Sequence, residues 1–96
     1  MLCTIGDLVE DVVVWLKADP VRGSDTTARI FRRRGGSAAN VAALAAAAGG
    51  AARFVGHVGD DALGERLVAD MQAGGVDTVV THGGRTGSIV VLVDPT

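Results

Sequence analysis

The chain has 96 residues, of which 48% are hydrophobic, 21% charged and 3% aromatic, and its formal net charge is −2. This length suits one small domain, and the composition excludes a disordered segment. The charge gives no reason to expect nucleic acid or a membrane surface as a partner, and no stretch is apolar enough for a signal peptide or a membrane span.

The first three predicted elements are strands. A short apolar strand covers residues 2–5, and a β-branched strand covers 12–16. A loop with proline and glycine follows, and residues 27–31 return as a strand that pairs with 12–16. Cys3 is the only cysteine, which excludes an internal disulfide and fits a reducing cytoplasm. We therefore expect a cytoplasmic protein whose Cys3 thiol is buried in the first strand.

A helix rich in alanine comes next. Gly35-Gly36 interrupts the chain, and Ser37 can cap a helix over residues 38–48. This segment has almost no polar face, so we expect the helix to be buried on several sides.

The remaining elements alternate strand and helix. After a strand over 52–58, Asp60 or Asp61 caps a second helix, and strands over 76–81 and 88–93 follow. The order β-β-β-α-β-α-β-β predicts an α/β fold with parallel strands where helices intervene.

Two predicted strands, at 12–16 and 88–93, are apolar on both faces. Neither is connected to its neighbouring strand by a helix that could cover one of these faces. Exposed apolar strands of this kind are sites of association. We expect a ligand to cover one face, and a partner subunit or a further part of the chain to cover the other.

Three carboxylates, Asp7, Glu10 and Asp11, follow the end of the first strand. Ligands of α/β sheets bind at the carboxyl ends of strands, and a carboxylate there can accept hydrogen bonds from two neighbouring hydroxyls. The cluster therefore suits a polyol or a ribose. The alternative is that these acids cap turns or face water.

A second polar cluster consists of Gly35, Gly36, Ser37 and Asn40. Two glycines let a ligand approach the backbone, and the helix behind them directs free N–H groups at it. Asn40 either satisfies backbone groups nearby or presents its amide to the ligand. The segment is not a P-loop, because no Gly-Lys-Ser/Thr follows at the required spacing.

The two histidines offer no catalytic or metal-binding pattern. His57 lies in a predicted strand and His82 in a turn, and we expect a structural role for the first and exposure of the second. No spacing fits a zinc site or a nucleophile–base pair, so we expect no metal and no catalytic residue in this segment.

Several short motifs occur in a fixed order along the chain. They are Gly-x-x-x-x-Asp at 6–11, Gly-Gly-x-x-x-Asn at 35–40, Gly-x-Val-Gly-Asp-Asp-x-x-Gly at 56–64, Gly-Val-Asp at 75–77 and Thr-Gly at 86–87. Together they resemble the N-terminal half of the ribokinase/PfkB family, and the resemblance covers the whole chain. It implies a ribokinase-like α/β fold, in which a central, mostly parallel sheet with flanking helices carries a small β lid.

The resemblance also implies boundaries and partners. Residues 1–96 would form a single partial domain, with lid strands at about 12–34 and 87–94. In the family the lid closes over the sugar, and in several members it also makes a dimer. We therefore expect a homodimer through the lid strands, and an ATP-binding C-terminal part that this segment lacks.

By the same resemblance, the substrate-binding residues are Asp11, Gly35, Gly36, Ser37 and Asn40. Asp11 matches the aspartate that binds sugar hydroxyls. The implied activity is transfer of the ATP γ-phosphate to a hydroxymethyl group of a sugar, with ATP and Mg²⁺ as cofactors of the complete enzyme. The family's anion hole and catalytic base belong to a Gly-Ala-Gly-Asp segment far downstream, so we expect residues 1–96 alone to be inactive and to bind neither cofactor.

The substrate and the class of protein stay open in some respects. Ribokinases have Asn where Val9 stands and Lys-Gly where Ser37-Ala38 stand, so fructokinase-like, keto-deoxy-gluconate kinase-like and nucleoside kinase-like substrates are alternatives. A non-catalytic module that binds a sugar or dimerises is another alternative. A third is an unrelated α/β domain whose glycines serve turns.

Overall fold

The computed structural model describes residues 1–95, so that Thr96, the last residue of the expected domain, lies outside it. The element order is the predicted one. The elements are β1 (Leu2–Asp7), β2 (Val9–Leu16), β3 (Ala28–Gly35), α1 (Ser37–Ala47), β4 (Ala52–Val58), α2 (Ala62–Ala73), β5 (Asp77–His82) and β6 (Ser88–Val93).

The strands form two sheets of three strands each. The base sheet has the order β1-β4-β5 with all neighbours parallel, and its strands are connected through the helices. The second sheet has the order β3-β2-β6, in which β2 pairs antiparallel with β3 and parallel with β6. The predicted α/β class and the predicted β2–β3 pairing are therefore confirmed.

Both helices pack on one face of the base sheet and form the core there. Phe54 and Met71 are fully buried at its centre, and Ala39 and Ala42 of α1 are also inaccessible to solvent. The approach is so close that a Cβ added at Gly6 would lie 2.8 Å from the Cβ of Ala38. Small side chains thus bring α1 onto β1, although each of them removes little apolar area from water.

The opposite face of the base sheet is bare within residues 1–95. Successive side chains of a strand point to opposite faces, and Thr4 faces α1, because its hydroxyl donates to the Ala38 carbonyl at 2.8 Å. Its neighbours Cys3 and Ile5 consequently point away from the helices and are exposed. The expectation of a buried Cys3 is wrong for the described residues, because the sequence of one strand does not reveal which face carries the helices.

Two expectations about α1 are also wrong. Gly36, and not Ser37, is the N-cap residue, no side chain caps the helix, and Ser37 is its first helical residue. The helix is buried on one side only, since 48% of Val41 and 71% of Leu44 are exposed. Neither helix among residues 1–95 is long and apolar enough to cross a membrane.

Candidate functional site

The chain passes from the base sheet to the second sheet at the carboxyl end of β1. Leu8, the single residue between β1 and β2, is almost fully buried and belongs to the core. Asp7, the last residue of β1, is aligned with His57 of the parallel strand β4. The carboxyl ends of parallel strands are where α/β sheets bind ligands, and the sequence-predicted site residues lie around this junction.

Asp11 lies on β2 with its carboxylate directly over Gly35 of β3. A Cβ added at Gly35 would lie 2.5 Å from Cγ and 2.6 Å from Oδ2 of Asp11, and closer still to Oδ1. No side chain other than hydrogen therefore fits at Gly35 while the carboxylate is in this place. The structure thus brings the predicted carboxylate and the predicted glycine into contact.

Gly36 connects β3 to α1 through a conformation that favours glycine. Its φ is 103°, and an added Cβ would overlap the backbone carbonyl oxygen of Asp7. Its own carbonyl accepts the first helical hydrogen bond, from the Asn40 N–H at 2.9 Å. The N-terminus of α1, with no acidic residue in its first turn, therefore starts beside the junction and directs its free N–H groups outward.

Ser37 and Asn40 belong to the first turn of α1, and both are exposed. Because the Asn40 side chain is exposed, burial does not force it to bond with backbone groups nearby, and its amide is free to meet a ligand. Carboxylate oxygens, backbone N–H groups and a side-chain amide are thus grouped at one end of α1 and β2. This set can accept from and donate to the hydroxyls of a polyol.

Glu10, the neighbour of Asp11, belongs to a different cluster. Its Oε1 accepts from Arg32 at 2.9 Å, and its Oε2 lies 3.6 Å from Arg66 of α2. Since neighbouring residues of a strand face opposite sides, Glu10 points away from Asp11 and ties the second sheet to α2. Of the carboxylates that the sequence grouped together, Glu10 has a structural role.

A cleft of about 240 Å³ opens between the two sheets, with Asp7, Val9, His57, Arg85 and Thr86 among its lining residues. Val9 and Asp11 are two residues apart on β2 and share a face of the strand. Asp11 therefore continues the wall of the cleft toward Gly35 and α1. Arg85 and Thr86 are not among the site residues predicted from the sequence, although both line this cleft.

His57 is held as a structural residue. Its Nε2 lies 2.9 Å from the Gly83 carbonyl, which can only accept, so Nε2 carries the proton. Its Nδ1 lies 2.7 Å from the Thr81 hydroxyl. Both ring nitrogens are engaged, which agrees with the structural role predicted for His57.

Asp61 and Thr86 form a polar pair that sequence reasoning missed. Of the two predicted candidates for the α2 cap, Asp61 is the N-cap residue, and its Oδ1 accepts from the Gly64 N–H at 2.8 Å. The Thr86 hydroxyl and N–H also donate to it, and together with the Gly64 N–H they lower the pKa of the Asp61 carboxyl. The Asp-Asp-x-x-Gly and Thr-Gly motifs are visible in the sequence. The sequence does not show that Asp61 and Thr86 come into contact in the folded chain.

No group of three His, Cys, Asp or Glu side chains within residues 1–95 is arranged to hold a metal ion.

The chain is similar to one known family along its whole length. A family model described as pfkB family carbohydrate kinase matches residues 1–96. No curated relative matches the chain significantly.

Solved structures of sugar kinases are similar to the chain. Ribokinase from Giardia lamblia has 26% identity and a TM-score of 0.87, over 96% of this chain and 31% of that one. Fructokinase with bound ATP from Xylella fastidiosa has 26% identity and a TM-score of 0.77, over 96% of this chain and 29% of that one. Ribokinase from Cryptococcus neoformans in complex with ADP has 26% identity and a TM-score of 0.71, over 95% and 30%. These likenesses confirm the expected fold, and the chain spans less than a third of each of the three structures.

Proposed function

This chain belongs to the pfkB family of carbohydrate kinases, and on that premise we propose that it is the substrate-binding part of an ATP-dependent kinase that phosphorylates a hydroxymethyl group of a sugar. The second sheet acts as the lid over the sugar. Asp11, Gly35, Gly36, Ser37 and Asn40 bind the substrate.

The fit of Asp11 against Gly35 is the observation that carries the proposal. The carboxylate occupies the space that any side chain at position 35 would fill, so that the two residues form one surface. The N-terminus of α1 begins next to it and supplies N–H donors. A sugar hydroxyl both donates and accepts, and this surface offers a partner for each of these functions.

The phosphoryl donor is ATP with Mg²⁺, which we assign to a part of the protein outside residues 1–95. The described residues do not fit such a site, since no cluster of acidic side chains is arranged for a cation and no P-loop sequence is present. This chain is similar to 29% of the length of fructokinase with bound ATP, and that likeness supports ATP as the donor. In this proposal the described residues orient the sugar.

A dimerisation module is the second candidate, and one surface favours it. Ile30, Val90 and Leu92 are 61%, 62% and 65% exposed. The strand register places all three on the face of the second sheet opposite to Asp11. An exposed apolar face of this kind is suited to a second copy of the chain. The two candidates are compatible, because they use opposite faces of the same sheet.

The test of the substrate site is Asp11→Ala in the protein that carries this chain. Steady-state kinetics with D-ribose, D-fructose and adenosine should show a KM for the phosphate acceptor raised about 10- to 100-fold, as expected for lost hydrogen bonds to a charged group. The KM for ATP should not change. Asp25→Ala is the matched control, because Asp25 is an exposed loop carboxylate. Acceptor kinetics that are unchanged in Asp11→Ala would refute the assignment.

A further inference from the structure

The passage from β5 of the base sheet to β6 of the second sheet is held by a closed set of hydrogen bonds around Thr86. The Thr86 hydroxyl accepts from the Gly59 N–H at 3.0 Å and donates to Asp61 Oδ1 at 2.6 Å. The Thr86 N–H donates to Asp61 Oδ2 at 2.8 Å. Because Asp61 Oδ1 also caps α2 through the Gly64 N–H at 2.8 Å, the passage is attached to the N-terminus of α2.

The residues around Thr86 are also tightly packed. A Cβ added at Gly59 would overlap the backbone nitrogen of Thr86, and one added at Gly64 would lie 2.8 Å from its hydroxyl oxygen. Thr86 is buried although it is polar. Two further backbone bonds, from Asp60 N–H to the Gly84 carbonyl at 2.9 Å and from Gly83 N–H to the Val58 carbonyl at 3.0 Å, fix the turn before it.

Thr86 is also close, along the sheet, to the candidate substrate residue. The carbonyl of the next residue, Gly87, accepts from the Glu10 N–H at 3.0 Å. In the β2–β6 register, Ser88 is aligned with Glu10 and Ile89 with Asp11. The first ladder positions of β6 therefore connect Thr86 to the strand that carries Asp11.

We propose that Asp61 and Thr86 are positioning residues, which anchor the second sheet to the base sheet and so hold Asp11 in place for substrate binding. The anchoring follows from the contacts of the pair alone. The consequence for binding rests on the proposed function. In this role the pair acts through β6 and β2.

The experiment compares Thr86→Val with Thr86→Ser in the protein that carries this chain. Valine keeps the side-chain shape and removes the hydroxyl, whereas serine keeps the hydroxyl as the conservative control. Hydrogen exchange is measured by mass spectrometry on peptides covering β6, in the second sheet, and β4, in the base sheet. In Thr86→Val the amides of β6 should exchange about 10- to 100-fold faster, because the buried Gly59 N–H and Asp61 carboxylate lose a partner. The amides of β4 residues 52–55 should stay unchanged, and Thr86→Ser should resemble the wild type.

Kinetics then separate positioning from a general loss of stability. Thr86→Val should raise the KM for the phosphate acceptor about tenfold while the KM for ATP is unchanged. Thr86→Ser should have the acceptor KM of the wild type. The anchor would be overturned if Thr86→Val accelerated amide exchange equally in β6 and β4, or in neither strand. It would also be overturned if the β6 amides of the wild type exchanged as in an unfolded chain. Faster exchange in β6 with an unchanged acceptor KM would overturn the positioning role. Asp11→Ala distinguishes a failure of the proposed function from a failure of the anchor. This variant tests the substrate site directly and leaves Asp61 and Thr86 intact, so an unchanged acceptor KM in Asp11→Ala would refute the proposed function and not the anchor.

Discussion

Gly35→Ala is the substitution that tests the shape of the site most sharply. The φ of Gly35 is not in the left-handed region, so alanine is compatible with the backbone, and the nearest atoms that the new methyl group would meet are those of the Asp11 carboxyl group. If the carboxylate stays, over-packing of this kind costs about 1–3 kcal/mol of unfolding free energy. If the carboxylate rotates away, substrate binding loses hydrogen bonds to a charged group, worth about 1.5–3 kcal/mol, and affinity falls about 10- to 100-fold.

The assays are isothermal titration of the phosphate acceptor and urea unfolding of the same samples. Gly74→Ala is the matched control, because Gly74 has a φ of −81° and an added Cβ would make ordinary contacts of 3.5 and 3.6 Å. It should leave affinity unchanged, and should leave stability unchanged or raise it by up to about 1 kcal/mol. The double variant Gly35→Ala/Asp11→Ala removes the clashing carboxyl group, so it should regain stability but not affinity. Wild-type affinity together with wild-type stability in Gly35→Ala would refute this reasoning.

Two further predictions concern other parts of the molecule. Because the folded-state pKa of Asp61 is lowered, its contribution to stability is complete above the ordinary aspartate pKa of about 3.9 and is lost as the pH falls below it. Urea unfolding should therefore show that Asp61→Asn is less stable than the wild type at pH 7 and that the difference shrinks below pH ~4; a constant difference would contradict the assigned role of the carboxylate. Leu92→Asp should shift the protein from dimer to monomer in sedimentation equilibrium, whereas Val21→Asp, at a loop residue that is 62% exposed, should not. A monomeric wild type, or a dimeric Leu92→Asp variant, would contradict dimerisation through the second sheet.

The elements could be predicted because glycines and apolar runs mark their limits. Most of the predicted ends lie within two residues of the observed ones, but β2 begins at Val9 instead of residue 12 and β3 ends at Gly35 instead of residue 31. The division into two sheets follows from pairing between distant strands, such as β2 with β6. Local periodicity does not contain that information.

The errors share a physical cause. The exposure of Cys3, and of Val41 and Leu44 in α1, depends on which surfaces are covered, and a sequence pattern reports only that they are apolar. The pair of Asp61 and Thr86 was missed for a similar reason, because the two residues are 25 positions apart in the chain. In contrast, Gly35 and Gly36 could be singled out, since adjacent glycines before a helix indicate close approach of the backbone to something else. Here Gly35 contacts the Asp11 carboxylate and Gly36 contacts the Asp7 carbonyl.

A structure of the protein that carries this chain, with a bound phosphate acceptor, would test the substrate site most directly. Crystals should be grown with whichever of D-ribose, D-fructose and adenosine is phosphorylated fastest. The account predicts that acceptor hydroxyls lie within hydrogen-bonding distance of the Asp11 carboxylate and the Asn40 amide, above Gly35 and Gly36. An acceptor bound at full occupancy with neither Asp11 nor Asn40 in contact would contradict it.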